Sequence, residues 1–174
     1  MKGLLSLFLS IGFSIGLFAQ EQKIEWLSFE TAVQRIAEDR DNEKKIFIDV
    51  YTDWCGWCKK MDKETFNDPE VRAYMIKNFY MVKFNAEQTE DVVFQGQTYS
   101  FVPQGKKGYH ELAVALTNGK LSYPTVVYLT SKFEMLAPVA GYYPAAPFLT
   151  VAKYFGDDIF KDMTWKDYEA SQSK

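Results

Sequence analysis

Only two of the 174 residues are cysteine and only one is histidine. A tetrahedral zinc site takes about four such ligands, so Cys55, Cys58 and His110 do not suffice for one, and no metal or other cofactor is expected. The same scarcity excludes the multi-disulfide framework that staples many small exported domains. Lysine and arginine number 20 against 23 acidic residues, for a formal charge of −3, and no basic cluster forms the footprint of a nucleic-acid binder. There is no internal repeat and no low-complexity linker. No heptad pattern or broad apolar stripe calls for a second copy, so a monomer is expected.

One long hydrophobic run is present, Gly3 to Phe18, preceded by Lys2 and followed by Ala19-Gln20-Glu21. At roughly 15 apolar residues it is short of the ~20 needed for a membrane span. A cation, an apolar stretch and a small residue before a polar boundary read as a secretory signal peptide, residues 1–19, cleaved near Ala19. An uncleaved anchor is the alternative. No cysteine follows the run to carry a lipid. One domain over residues 20–174, periplasmic or secreted, is the expectation, with a core of ordinary size.

What the chain does have is Trp54-Cys55-Gly56-Trp57-Cys58-Lys59, directly after the apolar run Lys45-Ile46-Phe47-Ile48-Asp49-Val50-Tyr51. Thiols at i and i+3 share a face if a helix begins here, so the sulfurs can bond with little backbone movement. Cys55 would stand at the helix N-terminus, where unpaired N–H groups and the positive dipole end favour a thiolate. The pair closes too small a loop to restrain much of the unfolded chain, so reactivity explains its presence better than stapling.

Periodicity predicts a first strand at Ile24–Leu27 and a helix capped by Ser28, with Phe29, Val33, Ile36 and Ala37 on one face and a stop at Asp41-Asn42. A strand buried on both faces follows at Lys45–Tyr51, then the motif helix from about Cys58 to Phe66. Asp68 and Pro69 open another helix, and Phe79–Asn85 reads as a central strand. Residues 86–108 are irregular, with a small hairpin turning at Gly96 and ended by Pro103 and the Gly105–Gly108 tract. A helix at Tyr109–Leu116, strands at Leu121–Leu129 and Phe133–Val139, and a closing helix at Ala145–Phe155 complete the order; a charged tail, 157–174, follows.

The motif around Cys55, a Tyr123-Pro124-Thr125 step before an apolar strand, and Gly141 on the next loop occur in the order seen in thioredoxin-fold proteins. Over residues 25–156 the chain resembles that fold, and is particularly similar to the exported subfamily that includes the C-terminal domain of the transmembrane thiol:disulfide interchange protein. The resemblance implies an α/β thioredoxin fold: a central mixed sheet with flanking helices, an insertion at about 86–108 before the cis-proline strand, and an extension at 157–174. It implies that Cys55 is the exposed nucleophile and Cys58 the buried resolving thiol. Pro124 matches the cis-proline facing the disulfide; a trans proline at a strand edge is the other reading. Asp49 matches a buried acid beneath the site and Lys83 its partner. Burial raises a carboxyl pKa, which suits proton exchange with Cys58, the plainer alternative being a strand-end carboxylate paired with Lys83.

Trp54, Gly56, Trp57, Tyr123 and Pro124 are the expected substrate-contacting residues, with Tyr51 in place of a tryptophan common in thioredoxins. Aromatics at such a site serve either as core or as a platform for a polypeptide. Trp57 stands where thioredoxin has proline and strongly oxidising relatives have histidine; it cannot stabilise the thiolate as histidine does, so a reductase or interchange role is expected over an oxidant role. Partners would be protein disulfides and dithiols, with electrons from a membrane-embedded dithiol carrier; cytochrome c maturation components and misoxidised exported proteins are possible clients. His110 is expected to face solvent or cap a helix, and Lys59 and Lys60 to lie on a solvated face, the alternative being that either biases the Cys55 thiolate. The 86–108 segment is either a recognition element or a tolerated excursion. A thioredoxin-fold binding module, a chaperone or copper carrier without turnover, is the alternative function.

Overall fold

The computed structural model describes residues 22–39 and 44–172. The expected signal segment and the Asp41-Asn42 stop lie outside the described residues. Four strands form the central sheet: β1 (Lys45–Tyr51), β2 (Phe79–Asn85), β7 (Thr125–Leu129) and β8 (Met135–Ala140), in the order β2-β1-β7-β8. β1 and β2 run parallel, while β7 is antiparallel to both β1 and β8, so the sheet is mixed. The four short strands between β2 and β7 make two separate hairpins.

β1 is central and covered on both faces, which is why five consecutive residues, Ile46 to Val50, are buried. Their alternation divides the core. Phe47 joins Met61, Met75, Met81, Tyr128 and Phe148 on one face. Ile46, Ile48 and Val50 join Val82, Phe84, Leu112 and Val127 on the other. The first face is covered by α2 (Gly56–Glu64), α3 (Pro69–Asn78) and α5 (Ala145–Gly156); the second by α1 (Phe29–Glu38) and α4 (Glu111–Leu116).

The caps follow local chemistry. Ser28 Oγ accepts from the Thr31 amide at the start of α1, and Asp68 Oδ1 accepts from the Glu70 and Val71 amides at α3, with Pro69 in the first turn. Each such cap contributes about 1 kcal/mol.

Several expectations are corrected. The first strand reduces to one bridge: Leu27 pairs with the edge of β2 through Leu27 N to Met81 O, 2.8 Å, and Lys83 N to Leu27 O, 3.1 Å. Leu27 alone of its stretch is buried, while Trp26 leans on the rings of Phe47 and Phe66 instead of extending a ladder. α2 starts at Gly56 rather than Cys58 and ends at Glu64, because Cys55 itself is the N-cap. β7 begins at Thr125, since Leu121–Tyr123 form a loop, and β8 begins at Met135 because Phe133 turns the chain with φ 64°.

The 86–108 segment is more ordered than its composition suggests. β3 (Val92–Phe94) and β4 (Gln97–Tyr99) make the expected hairpin at Gly96. A second hairpin follows, β5 (Phe101–Gln104) against β6 (Lys107–His110), turning at Gly105 with φ 62°. Pro103 is a strand residue here, tolerated because a two-stranded ribbon has free edges. Tyr109 consequently belongs to β6, and α4 starts at Glu111. His110 caps it, its Nδ1 accepting from the Leu112 amide at 3.1 Å, yet it is fully buried rather than solvent-facing, with Nε2 3.0 Å from Glu90 O.

The tail packs on the body. After a short 3₁₀ turn (Ile159–Lys161), α6 (Trp165–Gln172) lays Tyr168 and Trp165 on Tyr154 of α5, with ring centroids 5.5 and 5.3 Å apart. Among the described residues, no helix is long and apolar enough to cross a membrane.

Candidate active site

Cys55 and Cys58 form a disulfide with an S–S distance of 2.06 Å at the N-terminus of α2. The Cys58 amide donates to Cys55 Sγ at 3.0 Å, so one of the orphan N–H groups of the helix end is spent on this sulfur. That donor and the helix dipole both favour negative charge on Cys55 once the bond is reduced. The expectation of an exposed Cys55 is corrected: the residue is 4% exposed and Cys58 3%. The surface at the motif belongs to its neighbours, Trp54 and Trp57, at 59% and 57%. The flanking indoles are therefore a rim, not core.

Trp54 packs edge-on against Tyr123, 5.9 Å between centroids, and its Nε1 donates to both carboxylate oxygens of Glu87 at 3.0 Å. Burial, then the Glu87 charge, holds the Tyr123 hydroxyl above its usual pKa. Trp57 lies 5.3 Å from Tyr142, with Lys60 Nζ over both rings at 5.4 and 5.3 Å. Glu64 completes this cluster, accepting from the Tyr142 hydroxyl at 2.7 Å and pairing with Lys60 at 3.7 Å. The Tyr123-Pro124 bond is cis, and Trp57, Tyr123, Pro124, Gly141 and Tyr142 line a cleft of about 370 Å³.

Beneath the motif, Asp49 of β1 and Lys83 of β2 are register neighbours on the sheet face that α2 covers with Cys58 and Met61. Lys83 Nζ is 3.2 Å from Asp49 Oδ2, a contact without the alignment of a hydrogen bond. Asp49 is 1% exposed, and burial pushes its carboxyl up to about 6 even though Lys83 pulls the other way. Lys83 also pairs closely with Asp62 of α2, and the rings of Trp26 and Tyr51 lie 4.9 and 5.1 Å from its ammonium. Asp62 and Lys83 line a solvent-facing cleft of about 430 Å³. The raised Asp49 carboxyl thus lies in ion-pair range of Lys83, which together with Asp62 faces that cleft.

Sequence reading missed Asp62, Tyr142 and Glu87. Asp62 was accessible in principle, since it stands four residues after Cys58 and so on the same helical face. The other two come from loops distant in sequence and carry no local signal.

A family described as "Protein of unknown function, DUF255" (Thioredox_DsbH) matches residues 13–152. The chain belongs to this family. Among curated relatives, the "Thiol:disulfide interchange protein DsbD" of Vibrio vulnificus strain YJ016 is 30% identical over 79 residues, 42% of this chain. The alignment covers 13% of that relative, so this chain corresponds to a small part of it. Among solved structures, "DsbH Oxidoreductase" superposes with a TM-score of 0.55 at 18% identity, covering 78% of this chain and 86% of the other. The oxidised C-terminal domain of DsbD from Neisseria meningitidis superposes with a TM-score of 0.50 at 20% identity, covering 75% and 99%. The expected fold is borne out: this DUF255 member is a thioredoxin-fold protein carrying the dithiol centre found in thiol–disulfide oxidoreductases.

Proposed function

We propose that this DUF255 member is an exported thiol–disulfide oxidoreductase, working in the periplasm as a reductase or interchange catalyst on protein disulfides. The carrying observation is the Cys55–Cys58 pair at the start of α2, with one sulfur capping the helix and the buried carboxyl of Asp49 on the same side of the sheet. The likeness to DsbD, a thiol:disulfide interchange protein, supports the same reading.

In the reduced protein the Cys55 thiolate attacks one sulfur of a client disulfide. That S–S bond breaks, its second sulfur leaves as a thiolate and takes a proton, and Cys55 is joined to the client. Cys58 gives its proton to Asp49 and attacks Cys55 Sγ; the Cys55–client bond breaks, the client sulfur leaves as a thiolate and takes a proton from solvent, so the client departs as a dithiol, two electrons richer, and the chain is left as the disulfide. Trp54 and Trp57 guide the client to a sulfur that its own neighbours cover, and the Tyr123-Pro124 backbone borders the approach. Trp57 is held by Tyr142 and Lys60 and brings no histidine-like donor to Cys55, which favours reduction over oxidation. Return of two electrons requires a dithiol donor, for which a membrane-embedded carrier is the fitting class.

A redox titration of the full chain tests this. A potential between about −150 and −270 mV fits an exchange catalyst; one well below about −300 mV indicates an inert bridge and refutes it. Cys55→Ser abolishes disulfide reduction, while Cys58→Ser accumulates mixed disulfides with clients.

A further inference from the structure

A third cleft, of about 380 Å³, is lined by Trp54 and the β5–β6 hairpin. Its walls are the Trp54 indole and, across from it, Phe101 and Pro103. Both walls are fixed. Glu87 holds the indole N–H from one side and Lys107 Nζ lies 5.2 Å from its ring centre. Gly108 lets the opposite ring settle: a Cβ there would meet Phe101 Cζ at 2.1 Å.

The charge of this cleft runs against that of the chain, which is −3 overall. Lys106 and Lys107 stand exposed on its rim, and among the described residues neither pairs with a carboxylate. Glu87 is the one acid lining it, and both its oxygens already accept from Trp54. The Trp57 cleft differs, because there Lys60 is offset by Glu64.

We propose that this cleft is a recognition subsite for client polypeptides bearing an aspartate or glutamate a few residues from the reacting cysteine. The inference rests on the exchange reading above, because Trp54, which directly precedes Cys55, lines the cleft. An extended client advances about 3.3 Å per residue, so a carboxylate a few residues from its cysteine is the one placed to meet Lys106 and Lys107. Its backbone and aliphatic stem then lie between the indole and Phe101.

Binding of paired peptides to the oxidised full chain tests the subsite without turnover. The two labelled peptides carry serine for cysteine and differ only in glutamate or lysine at the third position from it; affinity is read by fluorescence anisotropy. Two exposed ion pairs make the acidic peptide bind about 3- to 10-fold tighter at low salt, narrowing towards parity near about 0.5 M salt. Lys106→Glu with Lys107→Glu reverses the order. Lys132→Glu with Lys166→Glu, an equal charge change at the opposite end of the sheet and on α6, leaves it. Equal affinities in the native chain, or a preference that the remote pair shifts as much, overturn the subsite. Exchange assays on disulfide-linked versions of the same peptides separate the two readings. A binding preference without exchange upholds the subsite as a binding site and removes the catalytic assignment; exchange without preference removes the subsite alone.

Discussion

Replacing Asp49 by asparagine should stabilise this protein, and only above mildly acidic pH. The carboxyl is 1% exposed and titrates near 6 in the folded chain, against 3.8 for an ordinary aspartate. The folded state therefore holds a proton that the unfolded state releases sooner. Stability is fully present below about pH 4 and falls as pH rises through about 6. A displacement of about 2 units corresponds to roughly 3 kcal/mol. Asp49→Asn keeps the shape and removes the ionisation, so its advantage grows from near zero at about pH 4 to roughly 3 kcal/mol above about pH 7. With a urea slope of about 2 kcal/mol per molar, the midpoint moves up by about 1.5 M at neutral pH. Urea unfolding of the oxidised protein, followed by circular dichroism across that pH range, reads the effect. A difference that is the same at both ends, or a wild type more stable at neutral pH, refutes the reasoning. On the proposed mechanism, in which Asp49 takes the Cys58 proton, the same substitution should slow release of mixed disulfides by about 100-fold.

Lys83→Met leaves Asp49 without its counter-charge, so it should destabilise the chain by about 3 kcal/mol near pH 8 and by less near pH 5, where Asp49 keeps its proton. In an Asp49→Asn background the cost should shrink, which a double-mutant cycle in urea measures. Tyr168→Ala removes a buried ring stacked on Tyr154 and should cost about 3 kcal/mol by thermal or urea unfolding without moving the redox potential. Gly108→Ala forces Phe101 from the hairpin, and faster hydrogen exchange at the β5–β6 amides is the expected signature, with about 1–3 kcal/mol lost.

The sheet was legible because β1 and β2 announce themselves as short, nearly continuous apolar runs, and because Ser28, Asp68 and Pro69 are caps whose chemistry is local. The dithiol was legible from spacing alone. Ile24–Leu27 misled because alternation there reflects one buried leucine and an indole leaning inward, which no short window separates from a strand. The second hairpin was hidden because Pro103 and two glycines read as terminators, whereas a free ribbon edge tolerates the first and the turn and the Phe101 contact use the others. Shielding of Cys55 was unreadable, since it depends on residues brought together only by the fold.

The backbone N–H of His110 donates to Ala86 O at 2.7 Å, so the excursion bearing both hairpins leaves and rejoins the body at one point. Closing a loop at such a stem costs little more as it lengthens, about 0.6 kcal/mol for each doubling. The stem joins β2 to α4, and buried Val92 with Phe94, 5.0 Å from the Phe29 ring, ties the first hairpin to the core. Only the second hairpin hangs free of that core, so on the proposed subsite exchanging residues 101–108 between relatives should move client preference while the sulfur chemistry stays with the host.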